Sequence, residues 1–181
     1  MKSTRVRLAL AIATATCIAL NTAPARAAES CSAYMMDVAA ELQLFREAPD
    51  PVKAGLNPKD APRVEPGRLY LVTLPLQKDV RFGATLARNP VDATRPGGLL
   101  NLSFEKPGKY RIAIDANFWI DALVDGVPVE ALDFRSDREC AGPRKIVTFD
   151  LPAGGEVHLQ LVDATVSQLR LTVTPVPEEP W

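Results

Sequence analysis

At 181 residues, 47% hydrophobic and 24% charged, the chain is long enough for one domain with a real core and too short for two comfortable ones. Its formal net charge is −1, and about −5 once the basic leader described next is removed, so neither nucleic acid nor an anionic membrane has an electrostatic claim on it. Sixteen prolines against ten glycines point to many short elements with firm corners, as all-β proteins have.

Residues 1–27 read as a signal peptide. Lys2, Arg5 and Arg7 form a basic head, Leu8 to Leu20 an apolar stretch, and Ala25-Arg26-Ala27 a small-x-small cleavage site. The apolar stretch is too short to span a bilayer, so no membrane attachment is expected after cleavage. Cys17 raises lipidation as an alternative, although Thr14-Ala15-Thr16 fits a lipoprotein box poorly. The leader holds four of the 21 basic side chains and none of the 22 acidic ones, which leaves 17 against 22 in an exported chain. Export also gives the cysteines a meaning. Without Cys17 an even pair remains, Cys31 and Cys140, and an oxidising compartment predicts a disulfide; the alternative is two buried free thiols.

Residues 28–67 are predicted to hold one amphipathic helix and a proline-rich connector. Met35, Val38, Leu42 and Phe45 recur at helical spacing across residues 30–47, with Pro49 and Pro51 ending the run. The connector, 48–67, has five prolines and no apolar period, and is expected to lie over the surface.

Residues 68–175 are predicted to form the β-sandwich. Leu69 to Leu76 are apolar on both phases, so that strand is expected to be buried on both faces. Val80, Phe82 and Ala84 alternate as a second strand, and 85–98 form a polar loop. Leu100, Leu102 and Phe104 lead to the Pro107-Gly108 turn and a central unit, where Tyr110, Ile112 and Ile114 share one side. Phe118-Trp119-Ile120 follows, and Asp125-Gly126 closes a hairpin. Val127 to Leu132 read as an edge strand because of Pro128, and 133–145 as a charged loop. Val147, Phe149 and Leu151, then Val157, Leu159 and Leu161, then Leu169, Leu171 and Val173 give three more alternating strands. Residues 176–181 are expected to fray. Eight or nine short strands with turn signals between them predict an all-β, antiparallel sandwich with the helix packed on it.

Pro107-Gly108-Lys109-Tyr110, Asp121 within the Trp119–Gly126 run, and the Gly155–Leu159 strand resemble bacterial pre-peptidase C-terminal type sandwich domains. The resemblance implies a jelly-roll or similar accessory sandwich, not an enzyme. Glu41–Phe45, Gly108–Ala122, and Cys140 with Arg144–Leu151 resemble a family of exported proteobacterial proteins, a likeness that carries no activity with it.

Candidate chemistry is sparse. His158, the single histidine, lies on the polar phase of its strand and is expected at the surface, with no nucleophile or metal motif to serve. Asp115, Asn117, Asp121 and Asp125 suggest calcium, but turn geometry accounts for them and the calcium-loop spacing is absent, so calcium stabilisation stays an alternative and no cofactor or metal is assigned. Trp119 beside Asp121 is how many sandwich binding faces begin; the alternative is a Trp buried under the helix. Arg135, Arg138 and Arg144 cluster around Cys140, where guanidinium forks fit carboxylate or sulfate. The expected function is a non-catalytic exported binding or structural module acting on a periplasmic protein or a small anionic ligand through Trp119, Asp121, Arg135, Arg138 and Arg144. The competing reading is a polysaccharide or peptide hydrolase using Asp121 and Glu139.

Overall fold

A computed structural model describes residues 31–83, 92–152 and 156–177. The expected signal peptide, the first half of the 85–98 loop and the end of the acidic tail lie outside them. Among the described residues no helix is long and apolar enough to cross a membrane.

Among the described residues eleven strands form two sheets. One is built from β1 (Asp50–Lys53), β3 (Leu69–Thr73), β11 (Gln168–Pro175), β5 (Gly108–Ile114), β9 (Lys145–Leu151) and β8 (Asp133–Ser136), in that spatial order. The other is built from β2 (Arg63–Val64), β4 (Gly98–Leu102), β10 (Val157–Val162), β6 (Trp119–Val124) and β7 (Val127–Val129). Pairing is antiparallel except at β1–β3 and β2–β4. The connector is therefore not a mere surface strap. Its two ends add a parallel edge strand to each sheet, a pairing that alternation in a proline-rich stretch cannot announce.

The sandwich core lies where the sequence places it. Tyr110, Ile112 and Ile114, with Val147, Phe149 and Leu151, face Leu159, Leu161, Leu100 and Ala122 across the two sheets. β5 and β6 are not one hairpin, however. The Asp115–Phe118 turn carries the chain from the first sheet to the second, and Asp115 fixes it by accepting from both the backbone N–H and Nε of Arg170, at 2.8 and 2.9 Å. The β6–β7 hairpin does form, with Asp125 at φ 50° and Gly126 at φ 79°, the left-handed pair a two-residue turn needs.

The predicted helix is much shorter than its apolar stripe. A 3₁₀ turn, Ser32–Tyr34, ends at Met35 in the left-handed region, and α1 spans only Ala39–Leu44. Met35 leaves the stripe and is 88% exposed, whereas Val38 and Phe45 stay buried. They join Tyr34, Leu69, Ala113 and Ile146 in a second core on the outer face of the first sheet. Cys31 and Cys140 are bonded there, across a sequence separation of 109. A cross-link closing so long a loop is worth about 4 to 5 kcal/mol on the chain-entropy account. Gly142 lets the Cys140 loop close on this segment, since a Cβ there would stand 2.8 Å from Leu42 Cδ2.

The strand expected at Val80, Phe82 and Ala84 is absent over its described part. Gln77–Asp79 form a 3₁₀ turn, after which Val80 and Phe82 fold over Leu99 and Ala61 on the outer face of the second sheet. His158, on that same outer face, is buried to 7% exposure, which corrects its assignment to the surface. The charged loop is corrected too: its first four residues are β8, the edge of the first sheet.

Candidate functional site

β6 and β8 stand at the same side of the sandwich, one on each sheet, and the site lies along the seam between them. Ile120 and Ala122 enter the core, so the period of two sends Trp119, Asp121 and Leu123 to the outer face of the second sheet. β7 pairs only with Ala122 to Val124, which leaves Trp119 beyond its cover. Trp119 is 38% exposed and is not packed under α1, so the burial alternative fails. Its indole Nε1–H donates to Asp121 Oδ1 at 2.7 Å. The other carboxylate oxygen, Asp121 Oδ2, is shielded from solvent and has no hydrogen-bond partner among the described residues.

Two residues join Trp119 that the sequence did not single out. Lys145, at the start of β9, donates from Nζ to the Phe118 carbonyl at 2.7 Å, and this holds the ammonium 5.6 Å from the Trp119 ring centroid. The same ammonium lies 6.0 Å from the ring of Phe134 on β8, which is 68% exposed. Two aromatics from opposite sheets thus share one cation. Leu132 and Val127 are exposed on the same β6–β8 segment, so apolar surface gathers here instead of scattering. The available signal was the alternation of Phe134 and Arg135, masked because the stretch read as loop.

The arginines divide. Arg144 Nη2 donates to the Arg138 carbonyl at 3.1 Å, which brings these two exposed residues together. Arg135 is committed to Asp133, Nε to Oδ2 at 2.8 Å. Beneath the loop, Asp137 is buried, accepting from Ala33 N–H at 3.2 Å and Glu139 N–H at 2.9 Å, and so ties the loop to the disulfide-bonded segment. Among the described residues Asp121 and Glu139 share no hydrogen bond: one sits on β6, the other on the loop after β8.

Behind Trp119 the outer face of the second sheet is polar and covered. His158 on β10 stands directly across from Asn101 on β4, and Gln160 across from Asp121. His158 Nδ1 and Asn101 Oδ1 are buried without a partner among the described residues, while His158 Nε2 lies 3.6 Å from Glu156. Gln160 Oε1 accepts from Gly83 N–H at 2.7 Å, which pins the cover down. Asp115 and Asp125 are each engaged in turns, the latter accepting from Glu156 N–H at 3.1 Å, and among the described residues no cluster of His, Cys, Asp and Glu gathers that would hold a metal ion.

At the other end of β5, a depression of about 610 Å³ opens beside the Pro107-Gly108 turn. Phe104 and Tyr110 line it with ring centroids 5.0 Å apart, and the Tyr110 hydroxyl donates to the Lys106 carbonyl at 2.7 Å. No protein-family model and no curated protein matches the chain.

Proposed function

We propose that this is an exported, non-catalytic binding module that takes an anionic group, on a small ligand or on a protein of the same compartment, at the Trp119–Lys145–Phe134 seam. The single observation behind this reading is Trp119, held half-open by its bond to Asp121 with a fixed ammonium against its ring. An aromatic kept solvent-exposed by hydrogen bonds is set to cover a ligand, and Lys145 with Arg138 and Arg144 supplies cations to meet a carboxylate or sulfate. The residue pattern of an export signal and the Cys31–Cys140 bond support delivery to an oxidising compartment, the periplasm or beyond. The resemblance of Pro107–Tyr110, Asp121 and the Gly155–Leu159 strand to pre-peptidase C-terminal type domains fits an accessory sandwich.

Calorimetric titration with succinate, sulfate and a glutamate-rich peptide tests the reading. Saturable binding of one of them, weakened in an Arg138→Gln, Arg144→Gln double variant, is the result anticipated. Heats that are unsaturable for all three, or binding indifferent to that double variant and to Trp119→Ala, would remove it.

A further inference from the structure

Three of the four edge strands are blunted against pairing. β1 contains Pro51, β2 is two residues long and follows Pro62, and β7 contains Pro128. Proline removes a ladder donor, which is how edges avoid one another. β8, Asp133-Phe134-Arg135-Ser136, carries no proline, is half-buried at Asp133 and exposed from Phe134 to Ser136, and among the described residues has β9 as its only paired strand, with the Ser32–Tyr34 turn nearby. Asp137 N–H donates to the Arg144 carbonyl, and the alternation of an antiparallel ladder then turns Arg135 and Asp133 toward β9 as well. Phe134 and Ser136 therefore turn their backbone N–H and C=O groups outward, away from the sheet.

From this edge we infer that β8 pairs antiparallel with β8 of a second copy of the chain, about a two-fold axis through Phe134. The charges select both the occupant and the register. Outward-facing residues must meet outward-facing residues, so the axis passes through a residue and never between two. Centred on Phe134, the pairing sets Asp133 of each copy directly across from Arg135 of the other, with the two phenyl rings side by side. Centred on Arg135, it sets Arg135 against Arg135 and Asp133 against the Asp137 position. Centred on Asp133, it opposes two aspartates. Centred on Ser136, it sets Arg135 against Asp137, whose buried carboxylate is already taken by the Ala33 and Glu139 N–H groups. Of these registers the Phe134 one alone opposes unlike exposed charges, and Asp-Phe-Arg is complementary to itself when read antiparallel. The Asp133–Arg135 ion pair within one chain becomes a ring of four alternating charges in the pair. The six-stranded sheet extends to twelve strands, and the two Trp119–Lys145 seams come to lie on either side of the new junction.

The test is sedimentation equilibrium of the oxidised chain over a concentration series, for the native sequence and for Asp133→Arg, Arg135→Asp and the two combined. Each single reversal puts like charges across both flanks and weakens the dimer about tenfold or more, and the double reversal restores it because Arg-Phe-Asp is again self-complementary. Unchanged circular dichroism in the three variants separates these effects from unfolding. A native chain that stays monomeric to about 1 mM overturns the inference. So does a dimer indifferent to the single reversals, or one that the double reversal fails to restore.

Discussion

The Glu41 carboxylate, 1% exposed on α1, accepts the Thr174 hydroxyl of β11 at 2.5 Å and lies 3.5 Å from Arg111 Nη1 of β5. One acidic side chain thereby fastens the N-terminal segment to two strands of the sheet beneath it. Arg111 also donates to the Asp37 carbonyl at 2.8 Å, and Arg170 to the Phe45 carbonyl at 3.2 Å, so both ends of α1 are held by arginines from the sheet. Glu41→Ala strands the Thr174 hydroxyl and a mostly buried guanidinium, and is predicted to lower unfolding free energy by about 2 to 3 kcal/mol. Urea denaturation of the variant measures it.

Cys31 and Cys140 close the largest loop in the fold, so reducing them acts on the unfolded ensemble. A Cys31→Ser, Cys140→Ser double variant is predicted to lose about 2 to 5 kcal/mol while keeping the far-ultraviolet spectrum of a sandwich, because the main core contains neither cysteine. In the unreduced protein neither residue should react with a thiol reagent. Mass spectrometry after alkylation, with and without reductant, reads that directly.

Tyr34 gives the segment a pH dependence. Burial, reinforced by the negative charge of Asp137, pushes its phenol well above the ordinary value of 10.0, while the hydroxyl donates to the Pro143 carbonyl at 2.6 Å. The unfolded chain then releases this proton at a lower pH than the folded one. Stability is therefore full below pH 10 and falls as the pH rises above it. Tyr34→Phe should cost about 1 kcal/mol at neutral pH through the lost hydrogen bond, and should flatten that alkaline decline. Thermal melts from neutral to strongly alkaline pH compare the two slopes.

Much of the fold could be read from alternation alone. Tyr110, Ile112 and Ile114, and the three strands from Val147 onward, fall inward as the period of two requires. Leu69 to Leu76 read as apolar on both phases, and within that run each face of β3 meets a different core. What alternation cannot say is whether an outer face is covered. His158 and Leu123 share the outward phase, yet both are buried, with the chain at Gly83 lying close over Leu123. The stripe of α1 failed for a local reason, the left-handed turn at Met35. Of the candidate site, Trp119 and Asp121 were legible as neighbours on one face. Lys145 and Phe134 were not, because they reach Trp119 from the opposite sheet and no spacing along the chain encodes that crossing.

Removing the indole should distinguish packing from recognition. A Trp that seals a core costs about 3 to 5 kcal/mol when cut to alanine, whereas an exposed side chain costs less than about 1 kcal/mol. Trp119→Ala is predicted to fall in the second class, measured by chemical denaturation, since the indole stands outside the buried core and meets Asp121 at its N–H and Lys145 over its ring.

The most direct test follows Trp119 emission in a Trp181→Phe background while succinate, sulfate or a glutamate-rich peptide is added. A saturable change with one of these anions, abolished by Lys145→Met, is the predicted result. Emission unchanged by all three, or a change that survives the loss of the Lys145 ammonium, would contradict a binding face at the seam.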